Sequence, residues 1–190
     1  GINLHWMAAE VEDWIRGSPY ADRITLFRED PILGTGGALK NAEAFLRAGP
    51  FLAHNADVLS DIDLQELLRF HRRTGALATL AVQRRSSSRQ LVFDRDGRLC
   101  GRVSPDGAEW ARGPVSDAEG FAFTGIQVIE PAIFPRMTET GAFPITRTYL
   151  RLVGEGEHIV AYRADGQYWQ DIGSAEKLEC ARRRVAAERP

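Results

Sequence analysis

Residues 51–82 read FLAHNADVLSDIDLQELLRFHRRTGALATLAV, and this stretch decides the fold class. It opens with Phe51–His54, a short apolar segment typical of a strand. Asp61 or Asp63 can then cap a helix whose stripe contains Leu64, Leu67, Leu68 and His71. Residues 76–82 (ALATLAV) form a near-continuous apolar run, the pattern of a strand buried on both faces. A strand, a helix and a buried strand in this order predict a βαβ unit with parallel strands.

The alternation of strands and helices continues on both sides of this stretch. Upstream, the sequence predicts a strand tail at 1–5, followed by a helix with Met7, Val11, Trp14 and Ile15 on one face. A strand at 23–27 and a Gly-rich loop at 31–37 come next. A second helix then carries Ala38, Ala42, Phe45 and Leu46 on its inner face. Downstream it predicts a hairpin of 90–93 and 99–103 with an Asp96-Gly97 turn, a strand at 121–129, a helix at 145–153, strands at 158–162 and 168–170, and a final helix capped by Ser174.

These patterns predict one α/β domain over residues 1–190. Its mainly parallel sheet would be flanked by helices and carry a small antiparallel hairpin region. We expect the core to contain Leu64, Leu67, Phe45, Leu178, Val128 and the strand 76–82.

Composition and charge limit the binding partners and the cellular compartment that we expect for this protein. The net charge of −2 gives no electrostatic reason to expect a nucleic acid, and basic runs such as Arg84-Arg85 are interpreted as solvated surface. The only cysteines, Cys100 and Cys180, are far apart, which disfavours a disulfide scaffold and fits a reducing cytoplasm. No apolar stretch approaches the ~20 residues that a membrane span needs.

Three segments could carry chemistry. The loop 29–39 (EDPILGTGGAL) follows a strand and opens a helix, where free N–H groups favour oxygen-rich ligands, although tight packing would explain its glycines equally well. Asp57 and Asp171 each follow a predicted strand and precede a helix, where open α/β sheets bind ligands. Two converging carboxylates there would form a site for a hard cation such as Mg²⁺. The four histidines show no metal-ligand spacing.

Four motifs in this order resemble the sugar-1-phosphate nucleotidyltransferases, especially the mannose-1-phosphate guanylyltransferase and muramate-1-phosphate uridylyltransferase branch. They are LGTGGAL (33–39), HNAD (54–57), FTGI (123–126) and YWQDIG (168–173). The resemblance implies a Rossmann-like nucleotidyltransferase fold. It also implies Mg²⁺-dependent transfer of a nucleotidyl group from an NTP to a sugar 1-phosphate.

The resemblance also implies roles for single residues. The nucleotide would be contacted by Glu29, Gly34, Thr35 and Gly36, and the metal would be held by Asp57 and Asp171, the catalytic pair. Residues near the sugar phosphate would be Ser88, Arg89, Gln90, Glu119 and Thr124.

The chain departs from the family pattern in three places. Phe123 stands where many members have an Asn, and neither Lys40 nor Lys177, the only lysines, matches the Lys near the acceptor phosphate. The family's N-terminal strand and its G-x-G-T-R-like loop are also missing. We therefore expect roughly 50–60 further residues upstream, about two βα units. We also expect that the 190-residue chain alone neither turns over nucleotide nor releases pyrophosphate.

Two alternatives remain open on the sequence. A nucleotide-sugar-dependent glycosyltransferase would have a similar sheet, and Asp61-Ile62-Asp63 is formally its D-x-D metal motif, although we interpret it as a helix cap. A non-catalytic nucleotide- or sugar-binding module is the other.

Overall fold

The computed structural model describes residues 1–188, which form two compact units. The first unit contains Gly1–Pro50 and Pro131–Leu152, and the second contains Phe51–Glu130 and the residues from Val153 onward. Each unit is therefore built from two separate stretches of the chain. The expectation of a single domain stays a prediction.

Strands and helices alternate along most of the chain, as the sequence predicts. The strands are β1 (Ile2–Leu4), β2 (Leu26–Arg28), β3 (Phe51–His54), β4 (Val58–Ser60), β5 (Ala78–Gln83), β6 (Gln90–Phe93), β7 (Leu99–Ser104), β8 (Gly107–Trp110), β9 (Glu119–Ile129), β10 (Ile159–Arg163) and β11 (Trp169–Asp171). The helices are α1 (Ala8–Arg16), α2 (Gly34–Asn41), α3 (Glu43–Leu46), α4 (Leu64–Thr74), α5 (Ile145–Gly154) and α6 (Ala175–Glu188).

The large sheet of the second unit is organised around β9. Its strand order is β10-β5-β9-β6-β7-β8, and β3 also pairs with β9. Val128 of β9 stands opposite Leu52 of β3 on one side and Thr79 of β5 on the other. The strands β3 and β5 therefore run parallel to each other, as the βαβ pattern predicts, but an antiparallel strand lies between them.

The prediction of a mainly parallel sheet is therefore wrong, although the mixed α/β class is confirmed. Within residues 1–188 only β1 with β2 and β5 with β10 pair in parallel. The direction of β3 and β5 follows from the helix that connects them. The insertion of β9 is a long-range pairing that local periodicity does not encode. The predicted hairpin of β6 and β7 is confirmed.

Helix α4 shows how the sequence positions the core of the second unit. The Asp63 carboxylate caps it by accepting from the N–H groups of Gln65 and Glu66, each at 2.9 Å. Leu67 and His71 are buried on the face towards the sheet. The buried apolar cluster beneath α4 consists of Ile62, Leu67, Ala81, Ile126, Val128 and Ala164.

Part of the predicted core is wrong. Leu64 is 39% exposed because it is the first residue of α4 and lies one turn before Leu67, the first buried residue of that helix. Phe45 is 47% exposed because α2 ends at Asn41 and the separate helix α3 does not continue its stripe. Leu178 is half-buried, whereas Leu67, Val128 and the strand 76–82 are buried as predicted.

The first unit differs from the sequence prediction at two further points. Helix α1 buries only Ile15, and Trp14 is 75% exposed. The segment 31–37 is not entirely a loop, because α2 begins at Gly34. None of the helices described for this chain is both long and apolar enough to span a bilayer.

Candidate active site

Asp57 and Asp171 come together in the second unit through a short antiparallel ladder. Asp171 ends β11 opposite Val58 of β4, and the Ile172 N–H donates to the Asp57 carbonyl at 2.7 Å. A Cβ atom added to Gly173 would lie 3.2 Å from Asp171 Oδ1 and 3.3 Å from Asp57 Oδ2. Those two oxygens are therefore at most 6.5 Å apart, the sum of the two distances. The pair meets across β4 and β11 and not, as predicted, at the ends of parallel strands.

Asp171 is held ionised by its neighbours. The Gly173 N–H donates to Oδ1 at 2.8 Å, and the Lys177 ammonium lies 3.0 Å from Oδ2. The hydrogen bond from Gly173, followed by the one from Lys177, lowers the pKa of Asp171. The carboxylate is therefore available as an anionic oxygen ligand at neutral pH.

This donor set fits Mg²⁺ bound together with a phosphate. In the described part of the chain no group of three or more His, Cys, Asp or Glu side chains is arranged to hold a metal. Mg²⁺ is commonly bound by one or two carboxylates, with substrate phosphates and water completing its octahedron. Asp57 and Asp171 would supply two such oxygens, and the absent side chain of Gly173 leaves room between them.

A cavity of about 300 Å³ opens beside the two aspartates. Its volume lies at the lower end of the range for sites that take small molecules. The lining residues are Asn55, Asp57, Val58, Arg85, Ser87, Phe123, Thr124, Gly125, Trp169 and Asp171. Three of the four motifs quoted above, HNAD, FTGI and YWQDIG, contribute to this lining.

Arg85 is the lining residue that the sequence interpretation missed. Its guanidinium carbon lies 3.7 Å from the centre of the Trp169 ring, and Nη2 donates to the Phe123 carbonyl at 3.1 Å. The sequence predicts solvated surface for both Arg84 and Arg85, which is correct for Arg84 and wrong for Arg85. The sequence contains one indication of this role, namely the position of Arg85 just after a buried strand, since β5 ends at Gln83.

Thr124 lines the cavity but uses its polar groups within the protein. It is buried, and its hydroxyl donates to the Ala81 carbonyl at 2.8 Å while its own carbonyl accepts from Trp169 Nε1 at 2.7 Å. The next residue, Gly125, has φ 80°, and a Cβ there would lie 2.7 Å from Asn55 Nδ2. The FTGI motif thus positions Trp169 and Asn55 at the cavity.

The other residues predicted for the sugar phosphate are not brought to the cavity. Glu119 is exposed and forms an ion pair with Arg84 at 2.6 Å. Ser88 and Arg89 are exposed and Gln90 is half-buried, whereas Ser87 lines the cavity. The cavity is therefore lined by the residue directly before the predicted segment 88–90 and by none of the three residues in that segment.

In the first unit the Gly-rich segment packs against residues 141–145. The Gly36 N–H donates to the Phe143 carbonyl at 2.9 Å, and a Cβ on Gly36 would lie 2.2 Å from the Phe143 ring. Gly34 has φ 67°, and a Cβ there would lie 2.9 Å from the Phe143 carbonyl oxygen. These two glycines therefore serve close packing, which is the alternative that the sequence left open. The Gly36 N–H already donates to the Phe143 carbonyl.

Thr35 and Glu29 also have partners within the first unit. The Thr35 hydroxyl accepts from the Ile145 N–H at 2.9 Å, at the start of α5. The buried Glu29 carboxylate accepts from Asn3 Nδ2 at 3.0 Å and from the Leu33 N–H at 2.9 Å. Glu29 thus fixes the loop that leads into α2.

The formal D-x-D motif has structural roles. The Asp61 carboxylate accepts from the Tyr168 N–H at 2.6 Å, Ile62 is buried, and Asp63 caps α4. His71 is likewise structural, since it is buried between Thr79 and Glu130.

Comparison with known proteins identifies relatives of this chain. It is 30% identical over 168 residues to a mannose-1-phosphate guanylyltransferase of Mycobacterium tuberculosis. The chain is related to the sugar-1-phosphate nucleotidyltransferases. The alignment covers 84% of this chain but only 44% of that nucleotidyltransferase, so the chain spans less than half of its relative's length. The resemblance carried by the four motifs is confirmed.

Several solved structures share the fold of this chain. A UDP-glucose pyrophosphorylase complexed with UDP-glucose superposes with a TM-score of 0.72 at 19% identity, covering 97% of this chain and 79% of the other. HddC from Yersinia pseudotuberculosis complexed with GMP-PN gives 0.73 at 18% identity, covering 96% and 76%. No family model matches the chain.

Proposed function

We propose that this chain carries the acceptor and metal site of a sugar-1-phosphate nucleotidyltransferase. The observation that supports this most directly is the meeting of Asp57 and Asp171 at Gly173, beside a cavity that also contains Arg85. The chain that contains these motifs is similar over 84% of its length to a mannose-1-phosphate guanylyltransferase. The reaction would join an NTP and a sugar 1-phosphate into an NDP-sugar and pyrophosphate.

Nucleotidyl transfer requires positioning of the reactants and neutralisation of charge more than it requires a reactive side chain. An oxygen of the sugar phosphate attacks the α-phosphorus of the NTP, the bond from that phosphorus to the bridging oxygen breaks, and pyrophosphate leaves. Such in-line transfer is accelerated when the reactants are held in alignment and the growing negative charge is compensated.

Asp57 and Asp171 would hold the Mg²⁺ ion in this proposal. Bound there, Mg²⁺ would neutralise phosphate charge near the reacting phosphorus. The contribution of the chain itself is the fixed spacing of the two carboxylates across β4 and β11. Lys177 lies 3.0 Å from Asp171 Oδ2 and keeps that carboxylate ionised and oriented.

We also propose that the loop 29–37 shapes the nucleotide site. The roles of Glu29, Gly34, Thr35 and Gly36 rest on the family resemblance, and their contacts within the first unit suggest how they act. Glu29 and Thr35 hold the two ends of the loop through the Leu33 and Ile145 amides. The base would then be recognised by the shape of the loop as well as by direct contacts.

Two measurements test the proposal. In a thermal-shift screen of the four NTPs, we expect nucleotide to raise the unfolding temperature more with Mg²⁺ than without it. A pyrophosphate-release assay with NTPs and hexose 1-phosphates then tests turnover. It should be run on the 190-residue chain and on the longest natural polypeptide that contains it, because the matched relative is more than twice as long as the aligned region.

The outcomes separate the competing functions. Pyrophosphate release that needs both an NTP and a sugar 1-phosphate supports the proposal. Consumption of an NDP-sugar without pyrophosphate release would instead indicate a glycosyltransferase. Binding without turnover in the longest natural polypeptide would indicate a binding module.

A further inference from the structure

Arg85 is held rigidly at the wall of the cavity. One face of its guanidinium is stacked on Trp169 at 3.7 Å, and Nη2 is tied to the Phe123 carbonyl. Trp169 is itself fixed, because its Nε1–H donates to the Thr124 carbonyl at 2.7 Å. A guanidinium stacked in this way keeps its edge groups available while losing little freedom when it binds a ligand.

The guanidinium has unused donor capacity. Its Nε is buried and has no hydrogen-bond partner among the described residues. Among the described residues Arg85 forms no ion pair, although the charge of Asp171 acts on it, whereas the neighbouring Arg84 forms an ion pair with Glu119 at 2.6 Å. Because an arginine side chain stays protonated at neutral pH, Arg85 is a cation that protein groups satisfy only in part.

The remaining charges of the cavity are negative. Asp57 and Asp171 would repel an anionic ligand unless a cation lay beside it. Among the residues that the structure describes, Arg85 is the arginine that lines the cavity, and no lysine or histidine lines it. Its planar set of N–H donors matches the oxygens of a phosphate, to which arginine binds with two parallel hydrogen bonds.

We propose that Arg85 binds the phosphate of the acceptor sugar 1-phosphate, an inference that rests on the proposed function above. The walls next to Arg85 suit the sugar part of such a ligand, because Phe123 offers an aromatic side chain and Asn55 and Ser87 offer polar groups. Arg85, which follows the end of β5, would thus bind the acceptor phosphate, and neither Lys40 nor Lys177 lines the cavity.

The test compares Arg85→Gln and Arg85→Lys with the control Arg84→Gln. Arg84 is adjacent, exposed and paired with Glu119, so its substitution removes the same charge outside the cavity. Binding of mannose 1-phosphate, glucose 1-phosphate and the free sugars is measured by calorimetry on the 190-residue chain. NTP binding is measured in parallel by thermal shift, and circular dichroism confirms folding.

We expect Arg85→Gln to weaken hexose 1-phosphate binding by about 10- to 100-fold, as loss of charge-assisted hydrogen bonds does. NTP binding should change less than about threefold, since the change in affinity is confined to the contacts removed. Arg85→Lys should recover part of the affinity because it restores the charge but not the planar donor pair. In the active polypeptide the same substitution should raise KM for the sugar phosphate more than it lowers kcat.

Several results would overturn the inference. If Arg85→Gln binds hexose 1-phosphate like the unsubstituted chain while NTP binding persists, Arg85 does not bind the acceptor, and the proposed function still stands. An equal loss of NTP and sugar-phosphate binding in a folded variant would give Arg85 a different role. If Arg85→Gln does not fold, hexose 1-phosphate binding and NTP binding are compared in the same way in the folded Arg85→Lys variant. Failure of the longest natural polypeptide that contains this chain to bind any NTP or hexose 1-phosphate would overturn both proposals.

Discussion

The ring of Phe143 occupies the space that a side chain at Gly36 would need. A Cβ atom added to Gly36 would lie 2.2 Å from Phe143 Cε2, and Phe143 is only 2% exposed. Two effects therefore oppose each other when Gly36 becomes Ala. Alanine favours a helix by about 1 kcal/mol over glycine, whereas overpacking a buried ring costs about 1–3 kcal/mol.

We expect Gly36→Ala to lower the free energy of unfolding, because the ring is enclosed and the backbone of α2 would have to shift. Urea denaturation measures the effect. The control is Gly49→Ala, since no atom of the described residues, apart from its two chain neighbours, lies within 4 Å of a Cβ at Gly49, and its φ is not in the left-handed region. Equal stability of the two variants would show that Phe143 can move aside.

Leu67→Ala should cost about 2–5 kcal/mol of unfolding free energy, as large-to-small substitutions in a core do. Leu67 of α4 is fully buried, whereas Leu64 in the same helix is 39% exposed. Leu64→Ala is therefore the control and should cost clearly less. Similar losses in the two variants would mean that the helix face is assigned wrongly.

Asp57→Asn and Asp171→Asn should each abolish the part of the nucleotide-induced thermal shift that depends on Mg²⁺. Asparagine keeps the shape of the side chain but removes the charge that a hard cation requires. Turnover in the active polypeptide should fall by about 100-fold or more. Asp106→Asn, on the exposed turn between β7 and β8, is the control and should behave like the unsubstituted chain. A full Mg²⁺ effect in both site variants would contradict the metal assignment.

The stability of the chain should decrease as the pH falls below about 6.5, in part because of His71. Burial lowers the pKa of His71, and this effect outweighs the opposing hydrogen bond that His71 makes to the Glu130 carboxylate. The charge of Arg72 lowers the pKa further. The unfolded chain, in which the histidine has its ordinary pKa of about 6.5, therefore binds more protons than the folded chain. The free energy of unfolding is highest above pH 6.5 and falls as the pH drops towards the lowered folded-state pKa.

Urea denaturation between pH 5 and 8 measures this dependence. One such group contributes a slope of at most about 1.4 kcal/mol per pH unit. His71→Gln should lower stability at pH 8, because the contacts with Thr79 and Glu130 are lost, and should flatten the slope. His158→Gln, at an exposed position, is the control and should leave the slope unchanged. An unchanged slope in His71→Gln would assign the dependence to other groups.

Much of the candidate site could be predicted because its motifs are local. HNAD and YWQDIG each place an aspartate next to a strand, and the structure brings those aspartates together at Gly173. Arg85 could not be predicted in the same way. A pair of arginines along the chain does not reveal that one is exposed beside Glu119 and the other is stacked on Trp169, a residue 84 positions away.

The sequence by itself determined most of the strands and helices, the Asp63 cap, the hairpin turn and the four motifs of the family, but not β4, β8 or the division between α2 and α3. These features depend on periodicity and on residues close together in the chain. Only the tertiary structure decided that β9 separates β3 from β5, and that the Gly-rich segment packs on Phe143. The physical reason is the same in both cases. Pairing and packing between distant segments depend on how the backbone closes in space, and no local pattern of side chains specifies that closure.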